Sequence, residues 1–306
     1  MPPSHLAGLR WIGYACGQDE ALEKSVSSFV LVMVLAGALL HASWNAILKA
    51  QKDQLSASAL VAVGAGIVAI PLILFLPPPA PAAVPYIVAS AIIHVGYFAL
   101  VGYAYRTADL GVAYPLTRGS APVFTALIAF LLIGETLGLN GWLAVMLIAA
   151  GIVTLSADAL IRGGLSAKTA AAAFVNAAVI VTYTLVDGLG ARVAGSGIVY
   201  GAWMIAGTGA LVALLVLAIR PRIAFEEARK GWRLALGAGV LAFGSYGIAL
   251  WAMTLAPIGL VAALRETSVL FAAIMGAYFF GEAFGPKRWI ALALIVGGIV
   301  LLRLPI

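Results

Sequence analysis

The sequence contains few charged residues and almost no cysteine. Asp, Glu, Lys and Arg make up 10% of the 306 residues, far less than the surface of a soluble domain needs. The one cysteine, Cys16, excludes disulfides within the chain and metal sites built from several cysteines. The sequence also lacks the H-E-x-x-H, G-x-S-x-G and Walker patterns, and so it carries none of these catalytic or nucleotide-binding motifs. We therefore predict a protein that is not an enzyme and that holds no metal or cofactor.

Apolar residues dominate the chain. Hydrophobic residues make up 63% of it, and the mean hydropathy is +1.09. Apolar runs of about 20 residues, the length of a helix that crosses a bilayer, recur along the whole sequence. They cover approximately residues 28–48, 56–76, 84–105, 111–133, 140–157, 170–189, 198–219, 234–254, 258–280 and 289–304. This pattern predicts an all-α polytopic membrane protein that spans the lipid bilayer with ten helices.

The basic residues lie between the apolar runs. The formal net charge is +6, but lysines and arginines in such loops set the membrane topology and do not indicate nucleic-acid binding. Twelve of the 18 lysines and arginines fall in the odd-numbered loops, whereas Arg10, Lys24, Arg192 and Arg303 fall on the opposite side. This distribution predicts that the odd loops face the cytoplasm and that both termini lie outside. Residues 1–24 are more polar and unpatterned, and we interpret them as a mobile tail.

One segment of the chain occurs twice. Residues 118–153 match residues 265–300 in one constant register, which aligns Arg118 with Arg265 and repeats a Gly-Glu pair and a tryptophan. The register pairs span four with span nine and span five with span ten, so each copy contains five helices. Because five is odd, the second copy must enter the membrane from the opposite side. The sequence therefore predicts a 5+5 inverted repeat, which is typical of secondary transporters.

The repeated motifs resemble those of the EamA-type family of drug/metabolite transporters. The motif of the first copy is Gly134–Gly138 ahead of Trp142, and that of the second is Gly281–Gly285 ahead of Trp289. The start of the first repeat, His41–Lys49, resembles the first helix of that family. The resemblance extends over roughly residues 28–304 and concerns the fold and transport more than the substrate.

The resemblance implies a basket of ten helices around a central cavity. A first repeat would cover residues 25–158, a linker loop residues 159–169 and a second repeat residues 170–306. It also implies a multi-pass inner-membrane protein of the bacterial type that exports small metabolites. Bacterial exporters of aromatic and neutral amino acids are the functional model that the resemblance suggests. A homodimer is compatible with this interpretation but is not required by it.

Two repeated residue pairs are predicted to have structural roles. Glu135 and Glu282 each follow a glycine and precede the next helix, and the free amides and the dipole of a helix N-terminus favour a carboxylate there. Trp142 and Trp289 stand at the start of predicted spans, where an indole suits the membrane interface.

Polar and aromatic residues on the helical faces are candidates to line the cavity. Some of them share one face of a span, as in span one, and others lie one turn apart on neighbouring spans. The candidates are His41, Trp44, Asn45, His94, Tyr97, Tyr114, Arg118, Tyr183, Trp203, Tyr246, Trp251 and Arg265. For each of them the alternative is an ordinary contact between packed helices.

The charged residues within the spans have two interpretations. Arg118 and Arg265 each lie about 10 Å inside a span at 1.5 Å per residue, where a cation is costly. They either attract a carboxylate on each side of the substrate path or reach back to the interface and cap helix ends. Asp187 and Glu266 are the acids that could couple transport to a proton or another ion, although both are expected near span ends. Because the first span has no carboxylate, an antiporter of cationic drugs is disfavoured.

These observations favour an exporter of amino acids that works by alternating access. Polar groups would bind the carboxylate and the amino group, while aromatic side chains would hold an apolar side chain. The alternative is a transporter of another metabolite, such as a sugar, a sugar phosphate or a nucleotide sugar, with the two arginines bound to phosphate. An intramembrane enzyme is the remote alternative, because neither His41 nor His94 has an evident nucleophile as a partner.

Overall fold

The computed structural model describes residues 26–51, 53–107, 110–155, 167–280 and 285–304, and no β-strand occurs in these ranges. The helices are α1 Ser28–Lys49, α2 Gln54–Phe75, α3 Val84–Thr107, α4 Leu110–Ile128, α5 Leu139–Leu155, α6 Ala167–Val193, α7 Gly197–Ile219, α8 Pro221–Met253, α9 Ile258–Glu266, α10 Ser268–Phe280 and α11 Pro286–Leu301. The predicted tail at residues 1–24 lies outside the described residues, as does the predicted linker except for its last residues, 167–169, which begin α6.

The helices occupy the apolar runs of the sequence. A membrane-spanning segment must pair its own backbone groups, and a helix does so within one segment. Seven helical stretches of the described chain are long and apolar enough to cross a membrane, and Pro81–Tyr97 and Leu139–Leu155 are shorter apolar helices. Large apolar side chains such as Phe75 and Leu132 point outward and are exposed. An outer surface of this kind suits a lipid environment, and the chain is a multi-pass membrane protein.

Two helices differ from the predicted spans. The charged segment 220–233, predicted as a loop, forms the first turns of α8, which begins at Pro221. Proline is favoured in the first helical turn, and the charged residues after it are good helix formers. The predicted span 258–280 is interrupted at Thr267, which separates α9 from α10. The Thr267 hydroxyl donates to the carbonyl of Leu264 at 2.7 Å, a local bond that competes with continued helix.

The end of α4 is also irregular. The helix continues into a π-helical turn, Ala129–Ile133, and ends at Gly134, whose φ is 77°. Glycine adopts this left-handed conformation without the steric cost that a side chain adds. The N–H of Glu135 then donates to the carbonyl of Ala129 at 3.2 Å. This turn directs Glu135 away from the helix axis and toward the second half of the chain.

Helices α5 and α11 cross through small residues. A Cβ atom on Gly151 would lie 3.0 Å from the carbonyl oxygen of Ala291, and one on Gly298 would lie 3.0 Å from the carbonyl oxygen of Ala144. These are the same contact made twice, because the repeat register pairs Gly151 with Gly298 and Ala144 with Ala291. As position increases along α5, the facing position on α11 decreases, so the two helices are antiparallel.

Helices α2 and α7 cross in the same manner. A Cβ atom on Gly66 would lie 3.1 Å from the Cα of Gly209, and one on Gly209 would lie 3.0 Å from the Cα of Gly66. The added Cβ of Gly209 would also meet the carbonyl of Ala62, and that of Gly66 would approach the carbonyl of Ile205. This crossing is therefore also reciprocal and antiparallel, with the two glycines at its centre.

The helix contacts position the interior polar residues. Helix α4 packs against α6, and α9 and α10 pack against α1, while α9 also contacts α4. The largest buried apolar cluster lies beside this group of helices and includes Ile148, Ile152, Leu264 and Ile295. The polar interior residues of α1, α4, α6 and α9 consequently face one another.

Candidate functional site

A small cavity lies between α4, α6 and α9. Its empty volume is about 240 Å³, and its lining combines apolar side chains with hydroxyls and one residue of each charge. The lining residues are Ala121, Pro122, Thr125, Ile180, Tyr183, Thr184, Ala262, Arg265 and Glu266. This volume includes space that is open to the outside, and the mixed polar and apolar lining is what suits the cavity to a small polar ligand.

A buried chain of hydrogen bonds begins at the edge of the cavity. Nη1 of Arg118 donates to Oε1 of Glu266 at 2.9 Å, and Nη2 of Arg118 lies 2.8 Å from Nε2 of His41. Because a guanidinium only donates, Nε2 of His41 must accept, and the ring is therefore neutral with its proton on Nδ1. These hydrogen bonds connect helices α1, α4 and α9. Glu266 neutralises the charge of Arg118, for which the sequence left two alternatives: a cation beside the substrate path, or an arginine that reaches the interface or caps helix ends.

The two acids that could couple transport to an ion are buried. Asp187 is completely buried, and Glu266 is 5% exposed. Glu266 is the last residue of α9, next to the break at Thr267. Its Oε2 atom is buried and has no hydrogen-bond partner among the residues that the structure describes. An unsatisfied buried carboxylate oxygen is costly and requires an explanation.

Arg265 differs from its repeat partner, Arg118. Its guanidinium carbon lies 4.8 Å from the centre of the Tyr246 ring, a cation–π contact. Among the side chains that the structure describes, no carboxylate forms an ion pair with Arg265. The residue belongs to the last turn of α9, where the helix dipole favours a cation. Its charge thus remains directed to the cavity without an acidic partner.

Asp187 is held by two tyrosines. The hydroxyl of Tyr200 donates to Oδ1 at 2.8 Å, and the hydroxyl of Tyr246 donates to Oδ2. Both carboxylate oxygens are therefore occupied, and the group links α6, α7 and α8. Because the Tyr246 ring also contacts Arg265, this acid stabilises the position of the ring beneath the guanidinium.

Four aromatic side chains form a continuous wall beside the cavity. The ring centres of His94 and Tyr183 are 4.5 Å apart, those of Tyr97 and Tyr183 are 5.7 Å apart, and those of His94 and Tyr246 are 5.8 Å apart. Nδ1 of His94 lies 2.9 Å from the carbonyl of Ser90, which orients the ring. We call His94, Tyr97, Tyr183 and Tyr246 the aromatic wall.

The structure does not bring every predicted cavity residue to this place. Trp44 packs edge-on against His41 with ring centres 5.1 Å apart, and the side-chain amide of Asn45 donates to the His41 carbonyl at 2.8 Å. Trp251 packs against Phe29, a contact between helices. Trp203 is 36% exposed and is not part of the cavity lining. The side chain of Tyr114 lies outside the described residues.

Glu135 binds a different helix from the one expected. Its carboxylate accepts from the N–H of Ile258 at 2.8 Å and 3.1 Å and pairs with Arg192 at 2.6 Å. It therefore satisfies the N-terminus of α9, in the second half of the chain, and not that of α5, which follows it in sequence. Arg192 also donates to the carbonyls of Met253 and Ala256.

The other members of the structural pairs have simpler surroundings. Trp142 packs against Phe130 with ring centres 6.3 Å apart, and Trp289 is 60% exposed at the start of α11. Glu282 lies outside the described residues. Exposed or edge-packed indoles at helix starts suit the membrane interface for which the sequence analysis proposed them.

The sequence analysis did not single out two residues that belong to this region. Thr125 lines the cavity two turns after Arg118, and helical spacing from Arg118 would have found it. Tyr200 binds Asp187 from the first turn of α7. Its position in sequence is that of an ordinary interfacial tyrosine, so no local signal distinguished it.

Comparison with known proteins identifies relatives along most of the chain. The family model of the EamA-like transporters matches twice, over residues 28–157 and 168–304. An uncharacterized protein of Pseudomonas aeruginosa is 31% identical over 211 residues, which are 68% of this chain and 70% of that protein. The multidrug resistance protein EbrB of Bacillus subtilis is 37% identical over 59 residues, 19% of this chain and 50% of EbrB.

A solved crystal structure has the same fold. It covers 90% of this chain and 99% of its own chain at a TM-score of 0.69, with 22% sequence identity. At this identity the likeness concerns the arrangement of helices alone.

Proposed function

The chain belongs to the EamA-like transporter family, a family of membrane transporters of small substrates and not of enzymes, and from this premise we propose that it exports amino acids by alternating access. Neutral and aromatic amino acids are the first candidates, and the inner membrane of a bacterial-type cell is the proposed location. The observation that supports this proposal is the cavity beside Arg265. The guanidinium of Arg265, which has no acidic partner among the described residues and suits a carboxylate, lies there next to the aromatic wall, which suits an apolar side chain.

We propose that the transporter consists of two five-helix halves of opposite topology. The support comes from the two reciprocal crossings, of α5 with α11 and of α2 with α7. The helices run antiparallel at both crossings, and the repeat register relates the two glycine contacts of the α5–α11 crossing to each other, as a two-fold axis in the plane of the membrane requires. The cavity lies beside helices of both halves, where rocking of one half against the other would open it to each side in turn. The orientation with both termini outside remains our proposal from the loop charges.

The charges favour a zwitterion over a phosphorylated metabolite. Glu266 neutralises Arg118, so the cavity presents Arg265 as its cation among the described residues. A phosphate group would favour several cations. A sugar phosphate or nucleotide sugar is therefore the second candidate. Asp187 and Glu266 are the acids proposed for coupling to a proton or another ion.

Flux of radiolabelled amino acids into proteoliposomes tests the proposal. We expect saturable flux of phenylalanine and leucine, competed by other neutral amino acids, with an imposed pH gradient as a separate variable. A response to the gradient identifies proton coupling, and its absence identifies facilitated diffusion. No amino-acid flux in protein shown to be folded, with competition by sugar phosphates in its place, contradicts the proposal.

Removal of an aromatic side chain is expected to weaken transport. We predict that Tyr183→Ala and Tyr97→Ala each lower the flux at least about threefold, because the wall loses an aromatic contact; we expect the same direction for Tyr114→Ala. Thr182→Ala is the matched control, since its exposed hydroxyl bonds only within α6. Normal flux in the Tyr183 and Tyr97 variants, with the amount of protein in the vesicles equalised, would show that the wall is not part of the substrate path.

A further inference from the structure

Glu266 offers a second binding group in the same cavity. We propose that its Oε2 atom binds the primary ammonium group of a substrate whose carboxylate is bound by Arg265. This inference rests on the proposed function, and it assigns the two ends of an amino acid to two neighbouring residues of α9. The substrate class is therefore an α-amino acid, with its side chain toward the aromatic wall.

The state of Oε2 is the first observation behind this assignment. Glu266 is 5% exposed, and Oε1 already accepts from Arg118 at 2.9 Å. Oε2 is buried and has no hydrogen-bond partner in the described part of the chain, although Glu266 lines the cavity. Buried polar atoms are nearly always satisfied in folded proteins. A donor that enters the cavity would satisfy this one, and an ammonium brings up to three N–H groups.

Two successive residues of α9 line one cavity. Successive residues of a helix point about 100° apart, but the long side chains of Arg265 and Glu266, in the last turn of α9, both reach the same space. A positive and a negative group therefore lie side by side within reach of one small molecule. The ion pair with Arg118 prevents Glu266 from turning toward Arg265.

Charge complementarity selects a zwitterion. A monocarboxylate would meet Arg265 but leave Oε2 unsatisfied, and an amine would meet Oε2 but add a third cation beside two arginines and one carboxylate. An amino acid adds no net charge and places each end against its opposite. A buried site binds an analogue more weakly when the analogue leaves polar groups of the site unpaired. Electrostatic pairing should therefore give the amino acid a higher affinity than the monocarboxylate or the amine.

Ligands that differ by one charged group provide the test. Binding to the purified full-length protein in nanodiscs is measured by competition with radiolabelled phenylalanine. Hydrocinnamate lacks only the ammonium of phenylalanine, and phenethylamine lacks only the carboxylate. We expect each of them to bind about 10- to 100-fold more weakly than phenylalanine, the range for loss of a charged hydrogen bond. Leucine, isocaproate and isoamylamine repeat the comparison with an aliphatic side chain.

Two variants of Glu266 connect the ammonium to Oε2. In Glu266→Gln we expect phenylalanine and hydrocinnamate to bind with affinities within about threefold of each other. The variant lacks the carboxylate that would bind the ammonium of phenylalanine, so the two ligands no longer differ in this interaction. Glu266→Asp keeps the negative charge next to Arg118 but withdraws the carboxylate from the cavity, because its side chain is shorter. It should therefore weaken the binding of phenylalanine and leave the binding of hydrocinnamate unchanged. It provides the test if Glu266→Gln does not fold. Arg265→Gln should instead abolish the advantage of phenylalanine over phenethylamine.

The controls separate this inference from the proposed function. Asp53→Asn removes one carboxylate outside the cavity and should retain the ligand preference of the natural protein. If phenylalanine binds but hydrocinnamate binds equally well, or if the preference survives in both Glu266 variants, the ammonium site is wrong and amino-acid transport still stands. If folded protein neither binds nor transports phenylalanine and leucine, the proposed function fails and the ammonium site fails with it.

Discussion

Arg118 and Arg265 occupy matching positions of the repeat but have different surroundings. Arg118 is bound by Glu266 and His41, whereas Arg265 lies over the Tyr246 ring. The difference comes from position 266, because the first repeat has Gly119 where the second has Glu266. A single acidic residue therefore binds one arginine in an ion pair, whereas the other arginine has no acidic partner among the described residues.

The Arg118–Glu266 pair gives a prediction at this scale. Loss of one partner leaves the other charge buried, so Arg118→Leu should lower the free energy of unfolding by about 3–5 kcal/mol. The double variant Arg118→Leu/Glu266→Leu should recover most of that loss, since neither charge remains. Denaturation in nanodiscs measures both values. Equal stability of the single and double variants would contradict the assignment of a buried, tightly coupled pair.

The ends of helices decide much of the interior architecture. The π-helical turn with Gly134 brings Glu135 to the N-terminus of α9, and at the break after α9 the Thr267 hydroxyl donates to the carbonyl of Leu264. Both irregularities lie where a helix ends within the packed bundle. Each backbone group released there must find another partner. The partner is a distant carboxylate at the start of α9 and a local hydroxyl at its end.

The N-terminus of α2 allows a test of capping by pH. The Ser56 hydroxyl donates to Oδ2 of Asp53 at 2.7 Å, and the N–H groups of Leu55 and Ser56 donate to Oδ1. The Ser56 side chain, followed by its N–H, lowers the pKa of Asp53 below its ordinary value of 3.8. A lowered pKa means that the cap stabilises the helix end above the ordinary pKa and is lost as the pH falls through the lower, folded-state value.

We therefore predict pH-dependent fraying of the first turn of α2. Hydrogen exchange at residues 54–57, corrected for the intrinsic rate, should accelerate below about pH 4 in the natural protein. Asp53→Ala should show the fast rate at every pH, whereas Asp53→Asn should keep a slow rate without the pH dependence, because asparagine also caps. A first turn equally protected in Asp53→Ala at neutral pH would show that this cap has no effect.

At the scale of the whole molecule, close crossings hold the two halves together. Helix α5 meets α11, and α2 meets α7, at glycines that bring backbones into contact. Membrane helices associate through such close packing because lipid provides no hydrophobic drive between them. The α5–α11 contact is made twice by residues that the repeat register pairs, so this crossing lies at the boundary between the two proposed halves.

Two adjacent glycines of α11 give a matched test of this packing. A Cβ on Gly298 would approach the Ala144 carbonyl and Ile148 to 3.0 Å, whereas a Cβ on Gly297 would meet nothing within 4 Å. We expect Gly298→Val to reduce stability by about 1–3 kcal/mol through overpacking and Gly297→Val to remain close to the natural protein. Thermal unfolding of both variants under identical conditions measures the difference. An equal loss in the two would show that helix propensity, and not the crossing, is responsible.

The sequence by itself determined the class of protein and much of its helical organisation. Apolar runs of spanning length leave no other regular structure for the backbone in a bilayer, and the repeated Arg, Gly-Glu and Trp indicated the family. Local patterns also placed most residues of the aromatic wall on the helices that carry them. These are properties of short segments, and period and composition therefore suffice to predict them.

Only the tertiary structure decided which charges remain available. The partners in the Arg118–Glu266, Glu135–Ile258 and Asp187–Tyr246 contacts are 148, 123 and 59 positions apart, and no local pattern connects them. The cavity that Arg265 and Glu266 line likewise forms only where α9 packs beside α4 and α6. Charge pairing in a low-dielectric interior depends on distances of a few ångströms between helices, and packing alone sets those distances.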